Sequence, residues 1–132
     1  MKSYHGKYVV AQFNGDANAN REEKGTWETF IVEDLGQSKV SFKSYHGKYL
    51  GAEDEIGNYD IRANKDNRSD WEIFKVENQS EGTIALKTAH GRYVVAESDG
   101  RLRGDRTVAG PWESFTPECL GGISIFLIPI KV

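Results

Sequence analysis

The chain contains 132 residues, of which 38% are hydrophobic and 28% are charged, and its formal net charge at pH 7 is −3. A chain of this length and composition is expected to form one globular domain over residues 1–132, with its own core. The acidic balance argues against a nucleic-acid binder that depends on overall charge, and no apolar run is long enough to span a bilayer. The polar N-terminus and the single cysteine, Cys119, predict a cytoplasmic protein without an internal disulfide.

The first predicted element is a tight turn that leads into a strand, at residues 3–11. Its sequence, Ser-Tyr-His-Gly-Lys-Tyr-Val, returns in closely related form at 44–50 and 88–94. Glycine permits the left-handed backbone of such a turn, and the aromatic and branched residues after it favour a strand. Each histidine of the chain stands directly before the glycine of one copy, and a cation follows that glycine. The equivalent residues are His5, His46 and His90, with Lys7, Lys48 and Arg92.

A Trp-Glu-x-Phe segment is the next element, and it also occurs three times. A basic residue precedes the tryptophan by six positions in every copy. Two motifs in a fixed order, repeated three times, indicate a threefold internal repeat. We expect the aromatic residues to fill a barrel or its cap, although exposed tryptophans that stack on sugar rings remain an alternative. These residues are Trp27, Trp71 and Trp112, with Phe30, Phe74 and Phe115.

Short segments between the motifs alternate apolar and polar residues, as Val40 and Phe42 do, and glycine or asparagine turns separate them. This period indicates strands, and no stretch shows helical spacing. We therefore predict an all-β fold with about four strands per repeat. Repeat 1 is predicted at about 1–36, repeat 2 at about 37–80 and repeat 3 at about 81–121. An apolar strand at 122–131 is left over, and we expect it to close the barrel against the first repeat.

These motifs resemble those of the fascin and hisactophilin family. The resemblance rests on the repeated His-Gly-basic-Tyr turn, on the Ala-Glu pairs at 52–53 and 96–97, and on the basic residue before Trp-Glu-x-Phe. It implies a β-trefoil, with a six-stranded barrel capped by three hairpins, and a non-enzymatic module that binds and crosslinks actin filaments. Similar modules occur attached to carbohydrate-active enzymes. The chain has far fewer histidines than hisactophilin, so a pH-switched association is not implied.

Two hypotheses about the partner follow, actin filaments or glycans, and a monomer or weak dimer is expected. In the first, cations beside the turns would meet the acidic surface of a filament, although a merely solvated charged face fits these residues equally well. In the second, a carbohydrate-binding trefoil would carry up to three equivalent sites. The candidate binding residues are Lys7, Lys43, Lys48, Lys87 and Arg92, together with His5, His46 and His90.

The histidines have two interpretations. A threefold axis that brought the three imidazoles together would suit zinc. The simpler interpretation is that each histidine hydrogen-bonds within its own turn, and this is the one we predict. The sequence contains no nucleophile elbow, phosphate loop or metal-ligand spacing, so no enzyme, metal or cofactor is expected.

Overall fold

The computed structural model describes residues 1–23, 25–79 and 82–117, and this part of the chain is all-β, as predicted. Short 3₁₀ turns at Asp70–Glu72 and Pro111–Glu113 lie between strands. The strands are β1 (Lys2–Ser3), β2 (Tyr8–Ala11), β3 (Ala17–Arg21), β4 (Ile31–Gly36), β5 (Lys39–Lys43), β6 (Tyr49–Ala52), β7 (Ile61–Lys65), β8 (Phe74–Asn78), β9 (Ile84–Lys87), β10 (Tyr93–Ala96), β11 (Leu102–Arg106) and β12 (Phe115–Thr116).

All strand pairs are antiparallel, and they join into one sheet that forms a nearly closed barrel. The main path of the sheet runs β3-β2-β1-β12-β9-β8-β5-β6-β7, with β4 paired to β5 and β10 paired to both β9 and β11. The N-terminal residues of repeat 1 form the short β1, and Ser3 of β1 lies opposite Phe115 of β12. The predicted closing strand at 122–131 lies outside the described residues.

The core is formed by buried apolar side chains from most of the strands. Val40 and Phe42 of β5 are both buried, as their spacing predicts, but Ser41 between them is fully buried as well. The three repeated phenylalanines are buried as well, whereas the repeated tryptophans lie outside the core, and Trp71 and Trp112 are each 37% exposed. The phenylalanines are Phe30, Phe74 and Phe115.

The Trp-Glu part of each repeated segment forms a turn, and the strand begins only at the phenylalanine or just after it. The glutamate closes this turn. Its carboxylate accepts a hydrogen bond from the backbone N–H three residues earlier, which satisfies a donor at the start of the turn. Glu72, which is almost fully buried, accepts from both the backbone and the hydroxyl of Ser69, at 2.8 and 2.6 Å. The equivalent bonds join Glu28 to Gly25 and Glu113 to Gly110, both at 2.6 Å.

Three hairpins, β2–β3, β6–β7 and β10–β11, meet pairwise at one end of the barrel. One backbone N–H in the last strand of each hairpin donates to a carbonyl of a different hairpin, so each hairpin contacts both others. The bonds run from Ala19 to Gly100 at 2.7 Å, from Ala63 to Gly15 at 2.8 Å and from Gly104 to Tyr59 at 2.7 Å.

Gly15→Ala is expected to destabilise the fold by about 3 kcal/mol, and Gly6→Ala by about 1 kcal/mol. Both glycines have positive φ, of 94° and 78°. A Cβ at Gly15 would also lie 2.8 Å from Cβ of Asn64, whereas one at Gly6 would meet nothing within 4 Å. The difference between the two variants in urea unfolding measures the contact between hairpins. Equal losses would show that these hairpins do not pack closely in solution.

Candidate functional site

Each His-Gly turn is closed by two backbone hydrogen bonds of its own. In the first turn, the N–H of Ser3 donates to the carbonyl of Lys7 at 2.8 Å, and the N–H of Gly6 donates to the carbonyl of Ser3 at 3.0 Å. The same two bonds close the turns at 44–48 and 88–92, and all three glycines have φ between 76° and 79°. The turns therefore satisfy these backbone groups without help from the histidine side chains.

Each imidazole instead bonds to a different part of the barrel. Its Nε2 lies at hydrogen-bond distance from the carbonyl of an alanine that ends a strand of another repeated segment, and the nitrogen must donate because a carbonyl oxygen only accepts. This differs from the expected bond within the histidine's own turn, since the turn leaves no need for one. The pairs are His5 with Ala96 at 2.9 Å, His46 with Ala11 at 3.0 Å and His90 with Ala52 at 3.0 Å.

A tryptophan ring packs edge-on against each histidine. The centroid distances are 4.7 Å for Trp27 and His46, 4.9 Å for Trp71 and His90, and 4.7 Å for Trp112 and His5. Such contacts add about 0.5–1.5 kcal/mol each beyond simple burial. The tryptophan and histidine motifs thus join one repeated segment to the next. The imidazoles do not converge, and the described part of the chain contains no group of three His, Cys, Asp or Glu side chains placed to hold a metal.

The cations within the turns are engaged by partners of the same chain. Lys7 pairs with Glu22 at 2.5 Å, and Lys48 pairs with Asp66. The guanidinium of Arg92 lies over the ring of Tyr59, 5.2 Å from its centroid. The Lys7 ammonium lowers the pKa of Glu22, chiefly through their hydrogen bond and also through charge attraction. These carboxylates partly neutralise the charge that Lys7 and Lys48 would offer to an acidic partner.

The cations just before the turns have a different environment. Each lies over the ring of the tyrosine that follows the turn, at 5.4 Å for Lys2 and Tyr8 and at 5.6 Å for Lys43 and Tyr49 and for Lys87 and Tyr93. Within residues 1–23, 25–79 and 82–117, no carboxylate lies within 4 Å of these ammonium groups. They are therefore half-exposed cations whose positions are restrained by aromatic rings.

The tyrosine rings are themselves fixed at their hydroxyl ends. The Tyr93 hydroxyl donates to Glu77 at 2.6 Å, and this bond raises the pKa of Tyr93. The Tyr49 hydroxyl donates to Glu33 at 3.4 Å. Glu33 also accepts from Ser41, and this hydrogen bond is the main cause of its lowered pKa. The ammonium groups of Lys43 and Lys87 thus rest on rings that are anchored at their hydroxyl ends.

An exposed aromatic cluster surrounds His46, and sequence reasoning missed two of its members. Phe13 is 80% exposed and Tyr45 is 63% exposed, and their ring centroids lie 5.5 and 5.7 Å from that of His46. The third member is Trp27. Phe13 gives no signal in the repeat, because Asp54 and Ser98 stand at its equivalent positions.

Two clefts lie at equivalent positions of the sheet, beside the second and third turns, and their linings differ. The first has a volume of about 310 Å³ and is lined by Ile31, Lys43 and Tyr45 among others. The second has a volume of about 530 Å³ and carries three lysines, Lys39, Lys75 and Lys87, with Asp70 as its acidic residue. The second cleft is therefore the more basic of the two.

The fold and these surfaces define an all-β domain whose polar turns display cations and aromatic rings. The family described as a domain of unknown function, DUF7910, matches residues 1–120, and the chain belongs to that family. No curated protein shows significant sequence similarity to the chain. Among the described residues, no helix has the length and apolar character needed to cross a membrane.

Proposed function

We propose that this domain is a non-enzymatic β-trefoil module of the fascin and hisactophilin type, and that it binds actin filaments. The trefoil assignment is supported by the sets of three equivalent contacts: the imidazole–carbonyl bonds, the tryptophan–histidine contacts and the bonds between hairpins. A threefold sequence repeat that produces threefold contacts is what this architecture requires. The proposal places the protein in the cytoplasm, as a monomer or weak dimer.

One observation supports the actin proposal above the others, namely the restrained cations at Lys43 and Lys87. Both stand directly before a His-Gly turn, and neither is neutralised by a described carboxylate. Tyr45 projects beside the first of them. Fixed cations next to an exposed aromatic ring are well suited to an acidic protein surface, because little side-chain freedom is lost on binding.

The charge-reversal pair Lys43→Glu and Lys87→Glu is expected to weaken co-sedimentation with actin filaments by about tenfold to thirtyfold. The matched control reverses Lys7 and Lys48, which carry the same charge but are already paired with Glu22 and Asp66. We expect less than about threefold from the control. Binding of the wild-type protein should also weaken as salt is raised, because exposed charges are screened.

Two outcomes of that experiment contradict the proposal at different levels. If the wild-type protein does not pellet with filaments at low salt, actin is not the partner. If it pellets and the two double variants bind equally well, the partner is right but the contact surface is not the one formed by Lys43 and Lys87. Melting temperatures of the variants, measured alongside, separate lost binding from lost folding.

A carbohydrate-binding module is the second candidate, favoured by the exposed cluster of Phe13 and Tyr45 around His46. Aromatic rings of this kind stack on sugar faces, and such binding responds little to salt. The complete cluster occurs once among the described turns. Beside His5, Tyr4 keeps the position of Tyr45, but Ser98 stands in place of Phe13. Beside His90, Ala89 and Asp54 replace both aromatic residues. A glycan array probed with wild type and with the Phe13→Ser, Tyr45→Ala variant tests it. Binding that survives both substitutions would exclude this site.

A further inference from the structure

Three lysines stand in a row across three neighbouring strands. Lys75 of β8 lies directly opposite Lys39 of β5 on one side and opposite Lys87 of β9 on the other. Neighbouring strands are about 4.8 Å apart, so the row spans roughly 10 Å. The three side chains line the larger cleft, of about 530 Å³.

This row opposes stability, because like charges directly opposite one another on paired strands repel. Nothing in the described parts of the chain compensates it by an ion pair, since no carboxylate there lies within 4 Å of the three ammonium groups. Asp70 lines the same cleft without reaching them. Glu77, on the same strand as Lys75, is hydrogen-bonded to the Tyr93 hydroxyl. The cleft is thus locally cationic on a protein whose net charge is −3.

The fold itself does not require a lysine at position 75. The equivalent strand pairs place Ile31 opposite Lys43 and Thr116 opposite Lys2, so an apolar or a small polar residue serves there equally well. Thr83 likewise stands where Lys39 does in the preceding repeat. The repeats can therefore be compared with one another. The lysine before the turn occurs in every repeat, whereas Lys39 and Lys75 have no lysine at their described equivalent positions.

We propose that this cleft binds a small molecule that carries several phosphate groups. Its volume lies within the range of small-ligand sites, and lysine ammonium groups bind phosphate as compact point charges. Sugar stacking is disfavoured, because Ala89 stands here where Tyr45 lines the equivalent cleft. The inference does not rest on actin binding. Lys87 belongs to both surfaces, but Lys39 and Lys75, which the test replaces, are not part of the surface proposed for filaments.

Isothermal titration with myo-inositol hexakisphosphate tests the site on the whole chain. We expect saturable binding, weakened about threefold to fivefold by Lys75→Ile and by Lys39→Thr, and by about tenfold or more in the double variant. These substitutions copy residues that the chain already uses at equivalent positions, so the melting temperature should stay level or rise. Arg101→Ser removes a cation that is paired with Asp99 outside the cleft and should leave the affinity unchanged.

Phosphatidylcholine vesicles that contain phosphatidylinositol bisphosphate form the second arm, since a lipid headgroup offers the same phosphate chemistry as a free molecule. If the wild type floats with the vesicles and the double variant does not, the site is supported and its ligand is a lipid headgroup. If the protein binds myo-inositol hexakisphosphate but does not float with the vesicles, the site is supported and its ligand is a soluble molecule. The proposal is overturned if neither probe binds, or if Lys75→Ile, Lys39→Thr binds both as tightly as the wild type.

Discussion

Phe74→Ala is expected to lower the free energy of unfolding by about 3–5 kcal/mol, the usual cost of removing a fully buried phenylalanine. Phe74 is fully buried on β8, and its ring centroid lies 5.7 Å from that of Phe42 on β5. Its backbone lies opposite Val40, so the substitution would open a cavity between two central strands. Domains are typically stable by only about 5–15 kcal/mol, so the loss takes a large share of the total.

Phe13→Ala provides the matched control, since the same side chain is removed from a position that is 80% exposed. Its expected cost is within about 0.5 kcal/mol. Urea unfolding followed by tryptophan fluorescence measures both variants, because the tryptophans lie outside the core and report on the junctions between repeated segments. A loss below about 1 kcal/mol for Phe74→Ala would mean that β8 does not pack against β5 through this ring.

The sequence predicts the all-β fold because its signals are local: alternating residues, glycine turns and motifs in fixed order. The sequence also contains a repeated basic residue whose contact is seen only in the folded structure. The basic residue six positions before each tryptophan contacts the side chain that follows the alanine of the same segment. The pairs are Arg21 with Gln12 at 3.1 Å, Lys65 with Glu53 at 3.7 Å, and Arg106 with Glu97.

The candidate sites were less predictable, because they depend on contacts between distant parts of the chain. The partner of His5 is 91 residues away in sequence, at Ala96. The pairing of Lys7 with Glu22 could not be read from charge spacing, although it decides how much charge the turn presents. The lysine row arises from the register of β5, β8 and β9, which the packing of the whole barrel fixes. The alternating pattern decides which face of the sheet each residue takes, but it does not decide which residues of neighbouring strands stand opposite one another.

His46→Ala is expected to lower the free energy of unfolding by about 2 kcal/mol. The substitution removes the hydrogen bond to the carbonyl of Ala11, at 3.0 Å, and leaves that acceptor without its partner. It also removes the ring that Trp27 packs against, at 4.7 Å. Tyr45→Ala is the control, because Tyr45 contacts the same imidazole from solvent and alanine already occupies its equivalent position at Ala89. Its expected cost is within about 0.5 kcal/mol.

A structural role and a metal-binding role of the His46 imidazole predict different effects of a chelator on stability. If the histidine joins two segments of the barrel, the loss in His46→Ala is the same with and without a chelator, because no ion takes part. His46→Gln should then recover part of the stability, since its side-chain amide keeps a donor for the Ala11 carbonyl. A wild-type protein that a chelator destabilises as much as the substitution does would instead identify His46 as a metal ligand. The attachment of the second turn to the end of β2 would then depend on that metal rather than on the hydrogen bond to Ala11.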